Sequence, residues 1–225
     1  MTLADLPEIQ IKRHMRATSL KLRVEPNQIR LTVPVFCTQK QIQNFLDQST
    51  DWLIETWQKQ QNQVNNQEKT LPDSLKLFNL NNEIKIVYQK QKSSFIWDEK
   101  SLTLSVSDRD PEQYLRIFII AYAKTYLPIC LTEISRKIGL SFEKCTIRQP
   151  KTRWGSCSVR KDIMLNSALV LCEKKLVEYV CIHELAHTKY FDHSIQFWTE
   201  VEKHDSNFKN NRKELKAIQM PFWWR

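Results

Sequence analysis

Long apolar runs are missing from this chain of 225 residues. The best, Ile117 to Ala123, is flanked by Arg116 and Lys124 and falls well short of the ~20 residues that span a bilayer, so no membrane partner is expected. A basic-then-apolar leader pattern is missing from the N-terminus as well. The six cysteines (Cys37, Cys130, Cys145, Cys157, Cys172 and Cys181) are scattered and form no CxxC pair. That speaks against a zinc ribbon or a disulfide framework and for reduced thiols in a cytoplasmic protein. Glycine is scarce, with only two in the chain, so one inside a strand pattern stands out. Acids are absent from residues 9 to 24, which carry Lys12, Arg13, Arg16, Lys21 and Arg23. They are absent again from residues 144 to 161, which carry Lys144, Arg148, Lys151, Arg153, Arg160 and Lys161. With a net charge of +9, such stretches are either solvated faces or surfaces that track phosphates, and nucleic-acid proximity stays open.

Against that background residues 183 to 193 stand out, reading His-Glu-Leu-Ala-His-Thr-Lys-Tyr-Phe-Asp-His and holding three of the five histidines. Residues four apart share a helix face, so His183 and His187 can address one point. Glu184 then stands beside that point. This is the HExxH arrangement: two zinc ligands and a carboxylate able to take a proton from water at the metal. Leu176, Val177, Tyr179, Val180, Ile182, Leu185 and Ala186 make the surrounding segment apolar on most of its circumference, and such a helix is buried. Buried histidines and a glutamate need partners, which a metal ion supplies. His193 is the candidate third ligand. Glu200, Glu202, His204 and Asp205 compete for that place if the next helix folds back. Cys181 lies about 200° around the helix from His183 and should not share the metal.

The first third of the chain alternates with period two at Ile9 and Ile11, at Leu20, Leu22 and Val24, and at Ile29, Leu31 and Val33, with a turn at Glu25-Pro26-Asn27. A helical pattern follows from about Thr38 to Lys59, and the Gln/Asn-rich residues 58 to 68 read as a fraying helix end and loop. Strands are expected at Leu75–Phe78, Glu83–Tyr88, Phe95–Trp97 and Leu102–Val106. Asp110-Pro111-Glu112 opens a long helix expected to run to about Lys137 and close at Gly139, with Pro128 as a possible kink or division. Thr152 to Asn166 reads as a β-hairpin turning at Val159-Arg160-Lys161-Asp162, with Gly155 in mid-strand. An edge strand through Arg153, Trp154, Gly155 and Ser156 beside the metal helix offers main-chain pairing to an extended peptide. Arg153 and Tyr190 are candidate donors to a developing oxyanion. The terminal Pro221-Phe222-Trp223-Trp224 cluster is expected to dock on the protein's own core.

Arg153-Trp154-Gly155-Ser156-Cys157-Ser158, then Ile163 and Leu165-Asn166, then Tyr179-Val180 before His183-Glu184-Leu185-Ala186-His187, then His193-Ser194 and Phe197-Trp198, resemble the YgjP-like metallopeptidases. That bacterial family belongs with the zincins and is similar to SprT-type proteins. The resemblance covers most of the chain. It implies one domain over 1–225, of α+β class, with a β-rich lobe over 1–108 and a zincin-like helical core over 109–225 carrying the 152–166 hairpin. It also implies a Zn²⁺ site at His183, His187 and His193, Glu184 as the catalytic carboxylate, and a peptide or protein substrate. Two positions depart from the family pattern: Cys172-Glu173 where Pro is usual, and Asp192 where Asn is usual. Asp192 could cap the next helix or hold His193. Other classes remain in view. One is a non-catalytic module in which four ligands close a structural zinc, with Cys157 the candidate fourth, and the basic stretches bind nucleic acid. The other is a cysteine hydrolase built on Cys157.

Overall fold

The computed structural model describes residues 6–25, 28–65 and 70–224. They form two compact units, Met1–Thr70 and Leu71–Arg225. Ten strands and six α-helices are present among the described residues, grouped into three small sheets. The class is α+β, as the sequence implies.

The first unit holds strands β1 (Ile9–His14), β2 (Lys21–Glu25) and β3 (Gln28–Pro34), in the order β1-β3-β2. β1 runs parallel to β3, and β2 antiparallel to it. Period-two alternation does its expected work in β3, where Ile29, Leu31 and Val33 are fully buried and the residues between them are not. Of the expected turn, Pro26 and Asn27 lie outside the described residues. The helical pattern after Thr38 resolves into two helices, α1 (Gln39–Gln48) and α2 (Thr50–Asn65), because the chain breaks direction at Ser49. Thr38 caps α1 in a reciprocal capping box with Gln41. The Gln/Asn-rich tract is helical as far as Asn65, and residues 66–69 lie outside the described residues. Lys12 and Arg16 of the first basic stretch are exposed, whereas Arg13 donates from Nη1 to the carbonyls of Val35 at 2.7 Å and Cys37 at 2.9 Å.

The second unit begins with a four-stranded sheet, β4 (Ser74–Leu75), β5 (Ile84–Gln89), β6 (Phe95–Asp98) and β7 (Thr103–Ser107), ordered β4-β5-β7-β6. The sequence division at 108 falls inside this unit, between β7 and α3 (Pro111–Ile138). Sheet and helix share one core, in which Ile84, Leu104 and Val106 pack with Leu115, Phe118 and Ile119. α3 starts and stops as its sequence dictates. Asp110 accepts from the Gln113 N–H, Pro111 occupies the first turn, and Gly139 closes the helix at φ 71°. Pro128 does not divide it. By length and composition α3 could cross a membrane, with a mean hydropathy of 1.4 over its most apolar window. Counting only uninterrupted apolar residues misses this, because the window tolerates isolated charges. Its Leu115, Phe118, Tyr122, Leu127 and Leu131 are nevertheless buried in the core.

A second small sheet follows, β8 (Lys144–Arg148), β9 (Gly155–Cys157) and β10 (Asp162–Asn166), in the order β8-β10-β9. β9 and β10 form the expected hairpin. β8, parallel to β10, has no strong alternation in sequence. A 3-10 turn over Ser167–Leu171 leads to α4 (Lys174–Ala186), then α5 (Ile195–His204) and α6 (Phe208–Ala217). Trp223 and Trp224 are buried in this unit's core, which confirms the expected docking of the C-terminal cluster.

Phe118 is 1% exposed and touches Phe95, Trp97 and Tyr122 at ring separations of 5.4 to 5.7 Å. Phe118→Ala is expected to destabilise the second unit by about 3–5 kcal/mol in urea unfolding followed by tryptophan fluorescence. Phe36→Ala, at a side chain 96% exposed, should stay within about 0.5 kcal/mol of wild type.

Candidate metal centre

α4 is apolar around most of its surface, and Leu176, Val177, Val180, Cys181, Leu185 and Ala186 bury it among α3, α5, α6 and β9. This fixes the rotation of the helix, and the 3.6-residue repeat then sets His183 and His187 one turn apart on one face. Helical bonding stops at Ala186. His187 takes the C-cap position, and the chain turns as the Lys189 and Tyr190 N–H groups donate to the Ala186 carbonyl at 3.1 and 3.0 Å. Ser194 caps α5 by accepting from the Phe197 N–H at 3.4 Å. Asp192 is therefore not the cap. Its Oδ1 accepts from the Ser194 N–H at 3.3 Å, bracing the turn that delivers His193.

The imidazoles of His183, His187 and His193 converge, each offering one ring nitrogen within 4.8 Å of the others. His183 Nε2 and His193 Nε2 are 3.3 Å apart. Two nitrogens held ~2.0–2.1 Å from one tetrahedral ion lie about 3.3 Å apart, so the spacing fits a shared metal. His187 Nδ1 lies 3.0 Å from the Tyr190 carbonyl oxygen. A carbonyl only accepts, so Nδ1 carries the proton and Nε2 keeps a free lone pair toward the cluster. Aromatic rings hold the other faces. Phe197 stacks on His187 at 4.4 Å and Trp198 on His193 at 5.5 Å. Trp198 also meets Phe208, at 5.5 Å, and the Arg212 guanidinium, at 4.8 Å.

Electrostatics tell the same story. Burial, then the neighbouring His187 and His193, then Arg212, push the His183 pKa down to about 3. Burial likewise lowers that of His187. Both rings are thus neutral, the form that ligates metals. Glu184 is 5% exposed, and burial pushes its pKa up to about 8, partly countered by the Arg153 charge. Glu184 Oε2 and His183 Nδ1 are buried without a hydrogen-bond partner. A divalent cation among the three rings compensates this desolvated set, so the residues present fit a bound metal.

Gly155 explains how Glu184 fits. A Cβ at that position would lie 2.5 Å from Glu184 Oε1 and 2.7 Å from its Cγ. The carboxylate rests on bare backbone, which accounts for the glycine, although it opens β9 and does not lie in mid-strand as the sequence suggests. β9 is an edge strand. Trp154 O accepts from Asn166 N at 2.8 Å, and Ser158 N donates to Asp162 O at 2.9 Å. Antiparallel alternation therefore turns the Gly155 and Cys157 N–H and C=O groups away from β10, toward the free edge. Asn166 Nδ2 donates to the Arg153 and Pro150 carbonyls, each at 3.0 Å, and holds the strand's approach in place.

The other sequence candidates fall elsewhere. Glu200 is tied to Lys189 at 2.7 Å and His204 at 3.0 Å. Asp205 accepts from Asn207 and Asn211, and Glu202 is exposed. None of them, and not Cys157, joins the described histidine cluster. The Cys157 thiol is pushed up to about 11 by burial and by Glu184, opposite to an activated nucleophile. Ser156 alternates to the strand face opposite Gly155. Tyr190 contributes its backbone carbonyl, and its ring lies 5.2 Å from Lys189 Nζ. That carbonyl, the Trp198 stack and Arg212 carry no legible ligand signal in sequence.

Residues 18–218 match the model of the YgjP-like metallopeptidase domain. Among solved structures the chain is similar to the metallopeptidase zymogen abylysin of Pyrococcus abyssi, at 29% identity over 40% of this chain and 92% of that one, TM-score 0.37. It is also similar to the zymogen jannalysin of Methanocaldococcus jannaschii, at 26% identity over 41% and 94%, TM-score 0.36. No curated protein matches it.

His193→Ala should lower metal content by at least about tenfold after dialysis against limiting metal, read by elemental mass spectrometry. Glu202→Ala, at an exposed side chain outside the histidine cluster, should leave it close to wild type.

Proposed function

The chain belongs to the YgjP-like metallopeptidases, and from that premise we propose that it is a zinc-dependent peptidase, with His183, His187 and His193 holding the ion and Glu184 serving as general base. The observation that carries this reading is the convergence of three ring nitrogens beside a buried, unpartnered carboxyl oxygen. Zinc suits an all-imidazole set and hydrolysis, having no redox chemistry of its own. When bound, it supplies Lewis-acid polarisation of a carbonyl and makes water acidic enough to react near neutral pH.

The protein's own groups supply the rest. Glu184, held on Gly155 with Oε2 free, would be ionised once a cation at the rings offsets its burial. As a carboxylate it accepts the proton of the attacking water and can return it to the leaving amine. Its rigidity matters because small displacements of a reacting group are costly. The free edge of β9 pairs an extended substrate through the Gly155 and Cys157 backbone groups and aligns its scissile bond. Arg153, whose charge reaches Glu184, would stabilise the oxyanion that develops. Tyr190 acts through its carbonyl, fixing the His187 tautomer. Three protein ligands leave a coordination position open, whereas a structural zinc is closed by four. This favours catalysis over the nucleic-acid-binding module. The scattered thiols suit a reducing, cytoplasmic setting.

Glu184→Gln should keep wild-type metal content and lose peptide hydrolysis by about 10²–10⁴-fold; hydrolysis at the wild-type rate would remove Glu184 from the mechanism. Gly155→Ala should also retain the metal, while displacement of Glu184 lowers kcat by about 10²-fold.

A further inference from the structure

A cavity of about 810 Å³ opens beside the residues that lead into β9. Lys151, Arg153 and Trp154 line it from that approach, Arg116 and Ile120 from α3, and Trp224 from the C-terminal cluster. Its walls are largely aromatic and aliphatic, with uncharged polar groups from Gln113, Gln149, Thr152 and Asn166 and three cationic side chains. No Asp or Glu is among its lining residues. Neither Lys151 nor Arg153 enters an ion pair among the described residues. A concave apolar site with convergent charges of one sign selects a ligand with an apolar body and the opposite charge.

Position says which ligand. Arg153 adjoins Gly155, on which Glu184 rests, and its charge is felt there. A peptide pairing with the free edge of β9 does so most stably antiparallel, so it runs opposite to the sequence direction 151 to 157. Its residues beyond Gly155, toward Arg153 and Lys151, then lie C-terminal to the bond held at Glu184. We propose that this cavity is the specificity subsite for an acidic residue, next to a large apolar or aromatic one, on the leaving-amine side of the cleaved bond. The inference rests on the peptidase reading. A nucleic acid is disfavoured because the strand edge offers main-chain pairing that a phosphate backbone cannot match. Lys144, Arg148, Arg160 and Lys161, the rest of the second basic stretch, also lie outside the cavity lining.

The test is calorimetric titration of zinc-loaded, full-length protein carrying Glu184→Gln to block turnover. The probes are a capped hexapeptide with Phe-Glu in its C-terminal half, its Phe-Lys counterpart, and a single-stranded oligonucleotide. The Glu peptide should bind at least about tenfold more tightly than the Lys peptide. Adding Lys151→Gln should narrow that ratio, and Lys151→Glu should reverse the order; both changes are at an exposed side chain and are checked for folding by circular dichroism. Equal affinities, no binding of either peptide, or an order indifferent to residue 151 would overturn the proposal. So would an oligonucleotide that binds more tightly than both peptides and is lost with Lys151→Glu. Parallel digestion of a peptide library by the loaded wild type separates the two claims. Cleavage without acidic preference after the cut defeats the subsite alone. Charge-selective binding without any cleavage counts against the peptidase reading and leaves the cavity an acidic-peptide binding site, which overturns its assignment to the leaving-amine side of a cleaved bond.

Discussion

Burying three ionisable side chains at the end of one core helix is costly unless something of opposite character meets them. The second unit is built around that constraint. His183, His187 and Glu184 sit where α4 passes from fully apolar packing to its C-terminal turn, and burial drives the two rings and the carboxyl toward their neutral forms. A cation at the ring nitrogens turns that penalty into affinity, since it prefers neutral imidazoles and a nearby carboxylate.

The surroundings keep the arrangement from relaxing. α5 and α6 close over the rings through Phe197, Trp198, Phe208 and Arg212. The Lys189–Glu200–His204 contacts tie the turn after α4 to α5. On the opposite side, β9 comes so close that only glycine fits against Glu184. One edge strand thereby seats Glu184 and turns unpaired backbone groups toward its free edge. The cavity at its start extends the same surface.

Much of this was legible in the sequence because the signals are local. The four-residue spacing of His183 and His187, the apolar flanks of α4, the Asp110 and Gly139 boundaries of α3 and the alternation of β3 each depend on neighbours along the chain. Gly155 drew attention for the right reason, close backbone approach, although it opens β9 instead of lying in mid-strand and its partner could not be named. What stayed hidden depends on tertiary encounter. β8 has weak alternation and is defined by pairing with β10. The α1–α2 break at Ser49 interrupts no hydrophobic period. The Tyr190 carbonyl is a backbone group, which sequence cannot single out, and it replaces the side-chain role read for that residue. The rejection of Glu200 and Asp205 as ligands comes from partners they find only in the folded chain.

The central claim, an open site made of three imidazoles, is tested most directly by zinc-edge X-ray absorption on the loaded protein. The account predicts three imidazole nitrogens and one further light-atom ligand at about 2.0–2.1 Å, with no sulfur. A sulfur shell near 2.3 Å, or a shell with fewer than three imidazoles, would contradict it.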